Sequence, residues 1–156
     1  MKEMKKMFQL ELVNLDVVVK DKADFFQMLA KKLLEKGYVE ETFEMAIMQR
    51  EKNYPTGLKL ENIAIAIPHT DVIHIKKAFV CVNRLASPIE FMQMGSDDVV
   101  LAVSDIFVLG IKEPKRQVKL LALLMELFSD REFIYRYRQA STEKEINSLF
   151  LSYINN

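Results

Sequence analysis

Hydrophobic positions along the chain change period several times. Residues 10–19 are apolar and rich in valine, which predicts a strand. Phe25, Phe26, Leu29, Leu33 and Leu34 then recur at helical spacing. They predict a helix to about residue 36, capped by Asp21 or Asp24 and stopped by Gly37. A second helix is predicted over 41–52, with Phe43, Ala46 and Ile47 turned inward. Pro55 and Gly57 lie in the segment that ends it. In residues 62–69 isoleucines alternate with alanines, the pattern of a strand on a crowded sheet, and Pro68 should end that strand at His69. Residues 78–85 predict a further strand, and 99–111 one or two more. Pro114 suits the first turn of a long helix over 115–128, with leucines at 120, 121, 123, 124 and 127. Two shorter helices are predicted over 131–138 and 143–153, the second with a capping box of Thr142 and Glu145.

Strand, two helices, several strands, then helices is the order of an α/β domain with a central mixed β-sheet flanked by helices. Residues 1–156 are expected to form one domain, since 156 residues suit a single core and no repeat or linker interrupts them. Lysine plus arginine numbers 22 and aspartate plus glutamate 22, so there is no basic excess with which to hold nucleic acid. The basic run 1–7 imitates the start of a signal peptide, but Gln9, Glu11, Asn14 and Asp16 break up the apolar stretch that a signal peptide needs next. No stretch approaches the roughly 20 apolar residues that span a bilayer. Cys81 is the only cysteine and lies within a predicted strand, which makes it a core residue rather than a ligand or nucleophile. A cytoplasmic protein is expected.

The chemistry narrows to two histidines, His69 and His74, both just beyond one strand end. Ligands in open α/β sheets bind beyond strand ends, and neutral imidazole is a good nucleophile for reversible phosphoryl transfer. The plain alternative is a histidine that satisfies a loop carbonyl. No G-x-x-x-x-G-K-[ST] occurs among four glycines, so a phosphorylated protein is a more natural donor than bound ATP. His69, Asp71 and His74 have the chemistry of zinc ligands, but they crowd one short segment with no fourth partner, and no metal or other cofactor is expected.

Three landmarks give the chain a resemblance. Residues 65–69, Ile-Ala-Ile-Pro-His, resemble the active-site strand of the fructose- and mannitol-type EIIA family of the sugar phosphotransferase system. Residues 50–57 resemble that family's Arg-Glu, then Pro-Thr segment, and residues 117–121 its second active-site stretch. The order and spacing are family-like over nearly the whole chain. Ala66-Ile67-Pro68-His69 with a second histidine at His74, together with Tyr54-Pro55-Thr56-Gly57 and Gln117, is most similar to the galactitol-type branch.

The resemblance implies the mannitol/fructose-type EIIA fold and a phosphoryl carrier. His69 would accept phosphate from phospho-HPr and pass it to a cysteine of an EIIB partner. Such a protein would not bind the sugar, galactitol in that branch, and would meet the membrane component EIIC only indirectly. Arg50 maps onto the family's active-site arginine, whose guanidinium binds phosphate oxygens through paired hydrogen bonds; the alternative is a solvated arginine near a helix end. Where other members carry a second histidine this chain has Gln117, which donates a hydrogen bond but shuttles no proton. His74 and Gln117 are therefore both candidates to support His69, and Thr56 is a further candidate phosphate donor from its loop. Lys76 and Lys77 read as solvated. Two rivals stand beside transport: a regulatory EIIA-like protein whose partner binding depends on His69 phosphorylation, and an interaction module without chemistry.

Overall fold

The computed structural model describes residues 2–154. Its elements are α1 (Lys2–Lys6), β1 (Val13–Val17), α2 (Lys22–Glu35), α3 (Phe43–Asn53), β2 (Gly57–Lys59), β3 (Ala64–Ala66), β4 (Phe79–Met92), β5 (Val100–Gly110), α4 (Pro114–Ser129), α5 (Arg131–Gln139) and α6 (Glu143–Ile154). Short 3₁₀ turns cover Leu10–Leu12 and Val72–His74. The five strands form one sheet in the order β1-β4-β5-β3-β2. β1 is parallel to β4 and β3 to β5, whereas β4/β5 and β2/β3 are antiparallel, so the sheet is mixed as expected.

The central strands are apolar on both faces because both faces are covered. Val80, Val82, Phe107, Leu109, Ile65 and Ile67 point to one side. There α4, α5 and α6 bring Leu120, Leu124, Phe128, Phe133 and Phe150, and the N-terminal segment adds Met4 and Phe8. Phe79, Cys81, Ile106, Val108 and Ala66 point to the other side, under Phe25, Phe26, Leu29 and Leu33 of α2 and Phe43 and Ile47 of α3. Burial pushes the Cys81 thiol up to about 12, so it stays protonated and unreactive, consistent with a core residue.

Several boundaries differ from the sequence expectation for local reasons. The predicted strand 10–19 begins as a 3₁₀ turn and ends at Val17. Asp16 takes a positive φ of 52° and the ladder with β4 shifts register between Asn14 and Val17. β4 runs on to Met92 through Pro88, where a register shift between Arg84 and Ile89 takes the proline out of regular pairing. The three-residue edge strand β2 and the helix α1 are too short to carry a periodic signal. Leu34, expected in the apolar stripe of α2, is exposed on its flank.

Capping fixes the helix ends. Asp21 accepts from the Asp24 amide (2.9 Å), and Gly37, just beyond the end of α2, takes φ 81°. Thr142 accepts from the Glu145 amide (3.1 Å), while its hydroxyl donates to the Glu145 carboxylate (3.0 Å), which closes the predicted box through side chains. Asp130 ends α4 and caps α5, its Oδ1 accepting from the amides of Glu132 (2.8 Å) and Phe133 (3.1 Å). Asp130→Ala leaves both donors without that partner and is expected to lower stability by about 1 kcal/mol, read from the urea midpoint at unchanged slope.

Candidate functional site

Two parallel strands end side by side. β3 and β5 run the same way, and beyond β3 the chain keeps contact with its neighbour: the Leu109 amide donates to the Pro68 carbonyl (3.0 Å), and His69 bridges to Leu109. Pro68 has no amide hydrogen, so this acceptor is its one backbone link to β5. His69 is thereby held at the C-terminal rim of the sheet, half-buried. Its Nδ1 lies 3.0 Å from the carbonyl oxygen of Ile67. A carbonyl only accepts, so Nδ1 carries the ring proton, and Nε2 keeps its lone pair.

The neighbouring elements converge on this rim because of the topology. The last turn of α3 leads through residues 54–56 into β2, which pairs with β3 at Gly57↔Ala66. Arg50, in that last turn, pairs with Asp71 (3.9 Å) and stacks over the Tyr54 ring (4.6 Å). Asp71 lies two residues beyond His69, so the pair ties the guanidinium to the histidine's own loop. α4 begins four residues after β5 ends, and Gln117 lies in its first turn, partly buried.

The histidine at position 74 sits differently. Its Nδ1 is 2.7 Å from the hydroxyl of Thr42. Thr42 precedes α3 but makes no capping bond with its side chain, because that hydroxyl faces His74 instead. His74 therefore ties the 71–75 loop to the start of α3, and among the described residues its Nε2 has no hydrogen-bond partner. Among the described residues no hydrogen bond joins His69 to His74 or to Gln117. Asp71 faces Arg50 and His74 faces Thr42, so the trio considered for a metal is turned toward other partners. Lys76 lies near Glu40 (4.0 Å) and Lys77 over the Tyr38 ring (5.2 Å), ordinary surface placements.

Thr56 does not fit the role of phosphate donor that its loop position suggests. It is buried, its hydroxyl donates to Glu51 Oε1 (2.8 Å) and accepts from the Ile67 amide (3.2 Å), and so it has no proton left for a phosphate. Glu51 bonds to Thr56 beside the site, and sequence reasoning names it only within the Arg-Glu segment, with no role of its own. It is 3% exposed, and burial pushes its carboxyl above the usual range while the two Thr56 bonds pull it back. A signal for it exists: Phe43, Ile47 and Glu51 stand at i, i+4 and i+8, so a carboxylate continues the buried stripe of α3.

Comparison with known proteins identifies the family and the fold. Residues 6–153 match the family model for the phosphoenolpyruvate-dependent sugar phosphotransferase system, EIIA 2. The galactitol-specific EIIA component of Escherichia coli K12 is 36% identical over 104 residues, covering 67% of this chain and 69% of that protein. Two solved structures share the fold. A putative PTS IIA (PtxA) from Streptococcus mutans superposes with a TM-score of 0.76 at 18% identity, over 97% of this chain and 94% of that one. The mannitol IIA in a complex with phosphorylated IIB from Escherichia coli gives 0.72 at 21%, over 91% and 95%. The chain belongs to the EIIA 2 family of the phosphoenolpyruvate-dependent sugar phosphotransferase system. It is a phosphotransferase component, a phosphoryl carrier in sugar uptake that acts through a phosphohistidine.

Proposed function

We propose that residues 1–156 act as one cytoplasmic EIIA domain that takes a phosphoryl group from phospho-HPr onto Nε2 of His69 and passes it to a cysteine of an EIIB partner, in the uptake of galactitol or a related polyol. The observation that carries this reading is the ring of His69, held by its Nδ1 proton on the Ile67 carbonyl at the sheet rim. In the first step the Nε2 lone pair attacks phosphorus as the bond to HPr breaks. The ring then bears positive charge, which the Ile67 carbonyl stabilises at Nδ1. In the second step the thiolate of EIIB attacks, the P–N bond breaks, and the electron pair returns to Nε2. Galactitol rests on the 36% identical relative, and the EIIB acceptor is supported by the mannitol complex.

Arg50 supplies the charge. Before phosphorylation its ion pairing is the long, exposed one with Asp71, which is worth little, and its guanidinium otherwise rests over the Tyr54 ring. A phosphoryl group on His69 offers it a dianion with paired acceptor oxygens. Arg50→Ala is expected to lower the rate of transfer from phospho-HPr by about a hundredfold, with Arg50→Lys recovering part of it. Single-turnover transfer of labelled phosphate measures this; an unchanged rate in Arg50→Ala removes the arginine from the mechanism.

The reading as a whole is tested with phosphoenolpyruvate, enzyme I and HPr. The intact mass should rise by one phosphoryl group that is lost in mild acid and kept in base. No gain, with HPr phosphorylated in the same tube, overturns it.

A further inference from the structure

The link between α3 and β3 is polar where an apolar contact would be cheaper. Glu51 sits in the core-facing stripe of α3, yet both its carboxylate oxygens are used on one residue. Oε2 accepts from the Thr56 amide (2.8 Å) and Oε1 from the Thr56 hydroxyl (2.8 Å). With its single proton committed to Glu51, Thr56 Oγ1 can only accept, and it accepts from the Ile67 amide (3.2 Å). The same amide also leans on the Thr56 carbonyl (3.4 Å). On the other side of the residue, the Ile67 carbonyl takes the Nδ1 proton of His69. One residue on, the Pro68 carbonyl is fixed by Leu109. Ile67 is thus clamped at its amide by Glu51 through Thr56, and its carbonyl is the group that orients the imidazole.

A buried carboxylate is costly, and sequences that break the rule for a core position do so at functional sites. We infer that Glu51, acting through Thr56 and Ile67, is a positioning residue that holds His69 in the Nδ1-protonated tautomer with Nε2 free to react. This inference rests on His69 being the phosphorylated residue for its effect on rate, but its effect on the ring does not.

Replacing the carboxylate by an amide breaks the relay at a known point. In Glu51→Gln one of the two Thr56 donors meets an NH₂ group instead of an acceptor. If that donor is the hydroxyl, it must reorient, and its proton then competes with the Ile67 amide. Thr56→Val keeps the shape and removes the hydroxyl, whereas Thr56→Ser keeps the hydroxyl. Serine at 56 therefore serves as the conservative rescue, and valine as a second variant should the glutamine protein fold poorly.

The experiment reads nitrogen chemical shifts of the two histidines in protein labelled with ¹⁵N-histidine, without phosphate, with His74→Asn used to assign His69. Wild type and Thr56→Ser should show Nδ1 protonated and Nε2 bare at His69. Glu51→Gln and Thr56→Val should show a mixture containing the Nε2-protonated form. In transfer from phospho-HPr, the same two variants should lose about ten- to a hundredfold in kcat with KM nearly unchanged, because the nucleophile is misplaced while the docking surface is not. Folded Glu51→Gln and Thr56→Val proteins that keep the wild-type tautomer overturn the inference. So does a loss carried by KM alone. Should wild type take up no phosphate at all, the functional reading fails while the nitrogen shifts still decide the clamp.

Discussion

The His69→Gln protein is expected to take up no phosphate from phospho-HPr, a loss of at least about a thousandfold in rate. Glutamine fills similar space, but its amide nitrogen has no lone pair available for attack on phosphorus. The fold should survive. His69 is half-buried, and losing its one hydrogen bond costs about 1 kcal/mol, so the urea midpoint should move little. Inactivity in a folded protein would then be chemical. The informative comparison is His74→Ala. That change removes the 2.7 Å tie to Thr42 and loosens the 71–75 loop, but leaves the nucleophile in place. It should slow transfer without abolishing it. Phosphate recovered on the His69→Gln protein, whether on His74 or elsewhere, would overturn the assignment. The measurement is intact mass, then mapping of the modified peptide under basic conditions.

The parts of the site that the sequence shows most clearly are those where backbone chemistry and side-chain chemistry coincide. Alternating isoleucine and alanine ending in Pro68 says where the strand stops, and the residue at that stop is the histidine. The helices are legible for a similar reason: Asp21, Thr142 and Pro114 mark their starts, and apolar stripes mark their faces. What is not legible depends on contacts between segments distant along the chain or on elements too short to show a period. β2 is three residues long and exists because Gly57–Lys59 lies along β3. The continuation of β4 past Pro88 depends on pairing with β5, which no local propensity announces. Thr56 is deceptive for the same reason. Threonine before glycine looks like a turn residue, and only the approach of Glu51 and Ile67 from either side shows that its hydroxyl is already engaged. Asp71, whose carboxylate suggests a metal ligand, faces Arg50 across 3.9 Å instead, a pairing between distant segments that the sequence does not announce.

Gly110→Val is expected to leave the protein largely unfolded, and Gly110→Ala to lower its stability by about 3 kcal/mol. Gly110 pairs with Phe79 at the end of the β4/β5 ladder. A Cβ added at Gly110 would overlap three atoms of the Phe79 ring. Rings that lie at the end of a free side chain can swing away, but this one cannot. Phe79 is fully buried, with Tyr38 edge-on at 5.7 Å and Phe43 at 6.4 Å, so relief must come from parting the two central strands. Valine doubles the insult by branching at that carbon, and a domain of ordinary stability, about 5–15 kcal/mol, has little margin for it. The companion variant is Phe79→Ala. Alone it opens a cavity and costs about 3–5 kcal/mol, but in that background Gly110→Ala should cost almost nothing, since the colliding ring is gone. Urea denaturation of the four proteins of this cycle measures the coupling. Gly110→Ala with wild-type stability, or strict additivity in the double variant, would mean that the ring does not fill the space above the glycine. Function should feel the change too, because Gly110 is next to Leu109, whose amide holds Pro68 and so the base of His69. The folded fraction of Gly110→Ala should therefore also transfer phosphate more slowly than wild type.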